Sequence, residues 1–166
     1  MSLGLISTST IAQSTLKEYK AGHTFTVSLP DYMTKTVGLN DVAAIQYKSV
    51  VKDVYGFVIF DTKEELEIAE IKYSSINEFY EDFIEDFLKD QDKRKISKSV
   101  SGKNDGINFI ESEASYYDKE LNIEISYLVG IVETKNSYYK VISWSSIENK
   151  DKFKSDFQKI IYSIRD

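Results

Sequence analysis

Glu111, Glu113 and Glu124 are the residues whose type and spacing come nearest to chemistry in this sequence. They fall in two stretches, 107–117 and 121–133, that alternate polar and apolar residues at period two, the pattern of half-buried strands. If the even positions of 108–116 and the odd positions of 121–131 face a core, a hairpin that pairs Tyr116 with Leu121 closes through a loop at 117–120. Glu113 then stands opposite Glu124, with Glu111 two residues along on the same face. Opposed carboxylates repel. Water must screen them, a cation must sit between them, or one must keep its proton, and the last two arrangements build metal sites and general acids. Glu111, Glu113 and Glu124 are therefore the candidate metal ligands, and a hydrolase would use the same face with at least one carboxyl pushed up in pKa. The plainer account, three solvated glutamates on an exposed patch, is the preferred one.

Other groups offer less. Glu78, Glu81, Asp82, Glu85, Asp86 and Asp90 make an acidic helix face, a docking surface for a basic partner or, more simply, a solubilising face. No D-x-[DN]-x-[DN]-G run marks a calcium loop. Tyr116, Tyr117, Tyr127, Tyr138, Tyr139 and Trp144 crowd the last strands and would suit a carbohydrate-binding surface, though aromatic residues also fill pleated sheets in general. Tyr138 and Tyr139 are adjacent, so a strand points them to opposite faces. His23 is the only histidine and there is no cysteine, which leaves no His- or Cys-based zinc set and no cysteine nucleophile. No G-x-S-x-G elbow accompanies His23. The glycines at 102 and 106 lack phosphate-loop spacing and read as a hairpin turn. Lys93, Arg94 and Lys95 are flanked by Asp90 and Asp92 and suggest neither nucleic acid nor membrane.

These residues must be positioned by a small set of elements. Residues 23–29 alternate and stop at Pro30, which cannot donate to a ladder. Strands follow at 44–48 and 55–61, the latter apolar on both faces and so expected in the middle of a covered sheet. Ser75 and Glu78 form a capping-box pattern for a helix over 75–91, with an apolar stripe from Ile76 to Leu88 and cations after its end. Strands resume at 95–100, 107–117, 121–133 and 138–145. A closing helix from about Asp151 carries Phe153, Phe157, Ile160, Ile161 and Ile164 on one face. Long strands with short turns make the sheet antiparallel, and the apolar helix faces pack on it, which is an α+β arrangement.

Composition narrows the function classes. A chain of 166 residues is one domain or one domain with a tail. A net charge of −6 argues against a nucleic-acid groove, and no apolar run approaches the length of a membrane span. Residues 1–13 contain no charged side chain. Thr10 and Ala12 fit the small positions before a signal cleavage site, so 1–13 are expected to be a truncated signal remnant or an added leader, with 14–166 as the domain. The expected compartment is exported, periplasmic or secreted.

The order of elements resembles the PsbP-like group. The residues that carry the resemblance are the opening Phe25-Thr-Val-Ser-Leu-Pro30, a long helix after a polar loop, and a glycine-containing strand. Then come Tyr138-Tyr-Lys-Val-Ile142 and the terminal Phe153…Phe157…Ile160-Ile-Tyr-Ser163. It covers roughly residues 19–165. The resemblance implies a three-layer α/β/α sandwich around a central antiparallel sheet, and roles in binding or scaffolding rather than chemistry. Its relatives include a photosystem extrinsic subunit, a Ran-binding nuclear-import factor and many exported bacterial proteins. It carries over no site residue and no cofactor. The expectation is an exported, non-enzymatic binding or scaffolding domain of the cell envelope with a protein or small-molecule ligand. A glutamate-based hydrolase or metal-binding protein and a Tyr/Trp carbohydrate module are the alternatives.

Overall fold

Period-two alternation becomes strands almost everywhere it occurs in the computed structural model, which describes residues 14–166. The leader expected at 1–13 lies outside the described residues. The elements run β1 (Leu16–Ala21), β2 (Phe25–Pro30), β3 (Thr34–Thr36), β4 (Ile45–Ser49), β5 (Val54–Thr62), α1 (Lys63–Ile68) and α2 (Ile76–Asp86). They continue with β6 (Lys95–Ile96), β7 (Val100–Asn104), β8 (Ile107–Asp118), β9 (Ile123–Glu133) and β10 (Ser137–Ser146). A 3₁₀ turn (Ile147–Asn149) leads into α3 (Lys150–Tyr162).

The main sheet is antiparallel with strand order β3-β4-β5-β10-β9-β8, and β6 and β7 share the outer edge of β8. One face is covered by α3 and the β1–β2 hairpin, which bury Phe25, Val27 and Leu29 with Val58, Val132 and Val141 beneath Phe153, Phe157 and Ile161. α2 covers the other face, seating Phe79 and Tyr80 on Ile110, Ile131 and Tyr138. The result is the helix–sheet–helix sandwich that two-sided apolar strands demand. Tyr138 faces α2 while Tyr139 packs on the α3 side, as the pleat requires.

Five local readings change. The β8–β9 turn lies at 119–122, two residues later than expected on the strand that enters it. Asp118 holds it there: its carboxylate accepts from the backbone N–H of Glu120 and of Leu121, and Asn122 takes a positive φ of 55°. Glu113 therefore pairs with Leu128 and Glu124 with Tyr117, so the expected Glu113–Glu124 opposition is not formed. The turn moves by two residues and the pairing by four, and because both are even every side chain keeps its face. α2 stops at Asp86 rather than 91, because Phe87 turns extended and Leu88 adopts φ 60°. Arg94 folds back to cap it, donating to the carbonyls of Ile84 at 2.5 Å and Phe87 at 2.8 Å. At its start Ser75 accepts from the Glu78 N–H, but the Glu78 carboxylate reaches Ser74 instead of closing the box. His23 sits in the β1–β2 turn with φ 59°, outside the strand. Residues 95–100 divide between β6 and the start of β7.

Candidate functional site

The glutamates lie under a helix. α3 approaches β9 at Gly130, where a Cβ would stand 2.5 Å from the Ile161 side chain. That contact lowers one ridge of α3, Lys150, Lys154, Gln158 and Tyr162 at i+4 spacing, onto β8. Lys150 and Lys154 each donate to Glu113 at 2.6 Å. Gln158 donates to one oxygen of Glu111 at 2.6 Å and the Tyr162 hydroxyl to the other at 2.7 Å. Glu124 accepts from Ser115 at 2.9 Å and from Lys95 at 3.2 Å. Glu111 is only 8% exposed, so at this residue the patch expected in solvent is the floor of the α3 interface, while Glu113 and Glu124 border an open cleft of about 380 Å³.

Electrostatics follow from those partners. The Lys150 and Lys154 ammonium groups hold the Glu113 carboxyl below the usual glutamate range. The Ser115 hydroxyl and Lys95 do the same for Glu124. A general acid needs the opposite shift. Burial, helped by the bond to Glu111, pushes the Tyr162 phenol up to about 12. The structure does not bring the three carboxylates together, and among the described residues no group of three or more His, Cys, Asp or Glu side chains is placed to hold a metal ion. The α3 ridge is visible in the sequence, but only packing pairs it with β8.

On the opposite face α2 is narrower than the sheet and leaves part of β5 and β10 uncovered. A groove of about 530 Å³ opens there. Phe79, Asp82, Phe83 and Asp86 of α2 form one wall, and Leu66, Ile71 and Tyr73 of α1 and its following loop form another. Asp61 and Lys140 lie on the floor, joined by a 2.8 Å ion pair. The Lys140 ammonium also sits 5.4 Å from the Phe79 ring and 5.8 Å from that of Phe83, within cation–π range. Tyr73 donates to Asp82 at 2.8 Å, and burial with that carboxylate raises its phenol to about 12. Ile68 and Ile71 of the α1 side are exposed. The acidic helix face was read from sequence; the groove beside it was not, because its floor and walls come from segments far apart in the chain.

Tyr116, Tyr127 and Trp144 form a row with Tyr55 across four strands on this same face, whereas Tyr138 is buried under α2 and Tyr139 in the α3-side core. Tyr55 stacks on Trp144 with ring centroids 5.6 Å apart, Trp144 lies 5.6 Å from Tyr127, and Tyr127 stacks on Tyr116 at 6.2 Å. Near-parallel rings are what a carbohydrate module needs, but these turn their faces to one another. Rings packed in that way offer edges to a ligand, whereas sugar stacking uses a free face. The basic stretch is consumed locally: Arg94 caps α2, Lys95 meets Glu124, and Lys93 lies over the Tyr117 ring at 4.6 Å.

The architecture matches solved structures of one group. The solution structure of cyanobacterial PsbP (CyanoP) from Synechocystis sp. PCC 6803 aligns with a TM-score of 0.61 at 13% identity, covering 98% of each chain. The fold is PsbP-like. LpqN, a protein involved in cell envelope biogenesis of Mycobacterium tuberculosis, shares this fold with a TM-score of 0.58 and 8% identity over 90% of this chain and 89% of its own. PA94 of Pseudomonas aeruginosa, a protein of unknown function described as a putative regulator, aligns at 0.52 and 8% over 87% and 92%. At these identities the likeness is one of fold. No protein-family model and no curated protein sequence matches the chain. Among the described residues no helix is long and apolar enough to cross a membrane.

Proposed function

We propose that the chain is an exported, non-enzymatic binding domain of the cell envelope, and that it binds through the groove beside α2. One contrast carries this reading. On the α3 face a donor meets every carboxylate oxygen of Glu111 and Glu113, and the cleft of about 380 Å³ beside Glu113 and Glu124 has no aromatic wall, while the α2 face leaves a larger, aromatic-walled groove open to solvent. The involvement of LpqN in cell envelope biogenesis supports the compartment.

Titration with the neutral apolar dye Nile red tests the groove. Saturable binding is expected, weakened several-fold by Ile71→Asp at the rim and unchanged by Leu121→Asp, a more exposed apolar site in the β8–β9 turn. Equal effects of the two variants would refute the assignment. Fractionation of the source cells tests the compartment, since a cytosolic pool alone would overturn export.

A further inference from the structure

We propose that the groove seats a lysine-bearing amphipathic segment of a partner protein, with its apolar side chains on Leu66, Phe83 and Ile71 and its ammonium groups against Asp82 and Asp86. This inference rests on the binding reading above and adds the chemistry of the occupant.

The groove already shows what it accepts. Its two phenylalanine rings hold one ammonium of the chain itself, that of Lys140, beside the carboxylate of Asp61. A second ammonium entering along α2 meets the half-buried Phe83 ring and the exposed carboxylates of Asp82 and Asp86. Among the described residues Asp82 is bonded only to the neutral Tyr73 hydroxyl. Asp86 pairs with Lys89 three residues on, and both side chains are more than half exposed, so that pair is weak and readily exchanged. Glu78, Glu81 and Glu85 extend the negative field along α2, and the whole chain carries −6. Such a field draws in cations and repels anionic occupants.

The shape selects a chain over a small cation. Among the described residues no three carboxylates gather to hold a metal. The groove, about 530 Å³, lies in the size range of sites that seat many-atom ligands rather than a single ion. Apolar side chains at intervals would fill the aromatic wall while flanking lysines face the α2 carboxylates, the usual division between anchors and rim.

The test is calorimetric titration with two short synthetic peptides of equal length, one alternating leucine with lysine and one alternating leucine with glutamate. The lysine peptide is expected to bind at least tenfold more tightly, and to weaken as salt is raised. Asp82→Asn with Asp86→Asn should lower its affinity about tenfold, as two screened ion pairs would together. Asp105→Asn with Glu120→Gln, in the turns at the two ends of β8, should change nothing. Equal binding of the glutamate peptide, insensitivity to the α2 variant, or an equal loss in the β8-turn variant would overturn the proposal. So would displacement of the peptide by the neutral amphiphile octyl glucoside without regard to charge, or a peptide-free dimer that blocks the groove. If Nile red binds and the lysine peptide does not, the occupant is wrong and the groove reading stands; if neither binds, both fall.

Discussion

Gly130→Ala probes the contact that closes the glutamate face. The new Cβ would sit 2.5 Å from both Cγ1 and Cδ1 of Ile161 and 2.9 Å from its Cγ2, against an optimum of about 3.5–4.0 Å for carbon pairs. Ile161 is 1% exposed, so it has no free volume to turn into. Either the side chain leaves its rotamer or α3 lifts by about 1 Å. Overpacking of this kind costs about 1–3 kcal/mol, partly offset by about 0.5–1 kcal/mol from removing a glycine from a strand. The net expectation is a loss of about 1–2 kcal/mol, or about 2–8 °C in melting temperature for a chain of this size. Urea denaturation should show a lower midpoint with an unchanged slope. Ile161→Ala alone should cost about 2–5 kcal/mol, but it removes all three clashing atoms, so the double variant should be more stable than the sum of the singles by at least about 1 kcal/mol. A neutral Gly130→Ala, or strict additivity in the double variant, would refute the close-approach account of how α3 is seated.

Acid should act through the carboxylates that α3 and β6 neutralise. Glu113 and Glu124 are depressed in the folded protein, so their stabilisation is complete above the ordinary glutamate value of 4.5 and is lost as pH falls through the lower folded values. Glu113→Gln should therefore flatten the acid limb of stability against pH while costing about 1 kcal/mol at neutral pH; an unchanged acid limb would contradict the pairing with Lys150 and Lys154. Tyr47→Phe removes a buried hydroxyl that shares a 2.8 Å bond with Ser143, and should cost about 1–3 kcal/mol by chemical denaturation because Ser143 loses its partner. Deletion of residues 1–13 should leave a single cooperative unfolding transition with an unchanged midpoint, and loss of folded protein would count against the leader assignment.

Much of the fold was legible because it is local. The Ser75 cap and the stripe from Ile76 to Ile84 identified α2, and the two-faced apolar run at 56–60 placed β5 inside the sheet. Other elements left weak traces. α1 opens with a complete capping box between Thr62 and Glu65, but its six residues carry no buried stripe to mark a helix. β1 is exposed along most of its length and shows no clean alternation. The β8–β9 register depended on the Asp118 side chain satisfying backbone N–H groups in the turn, a choice that periodicity does not encode.

The candidate site divides along the same line. The order of amino acids by itself determined which residues alternate, which helix faces are apolar, and that Glu111, Glu113 and Glu124 share one side of the sheet, since these follow from the strand and helix repeats. Only the tertiary structure decided that α3 covers that side and that the α2 side stays open. The partners of Glu111 and Glu113 lie 37 to 51 residues away along the chain, and the groove joins Asp61 to Lys140 across the sheet. Whether a charge is neutralised or offered to a partner depends on distance through space, and that distance is set by the seating of one helix over one glycine.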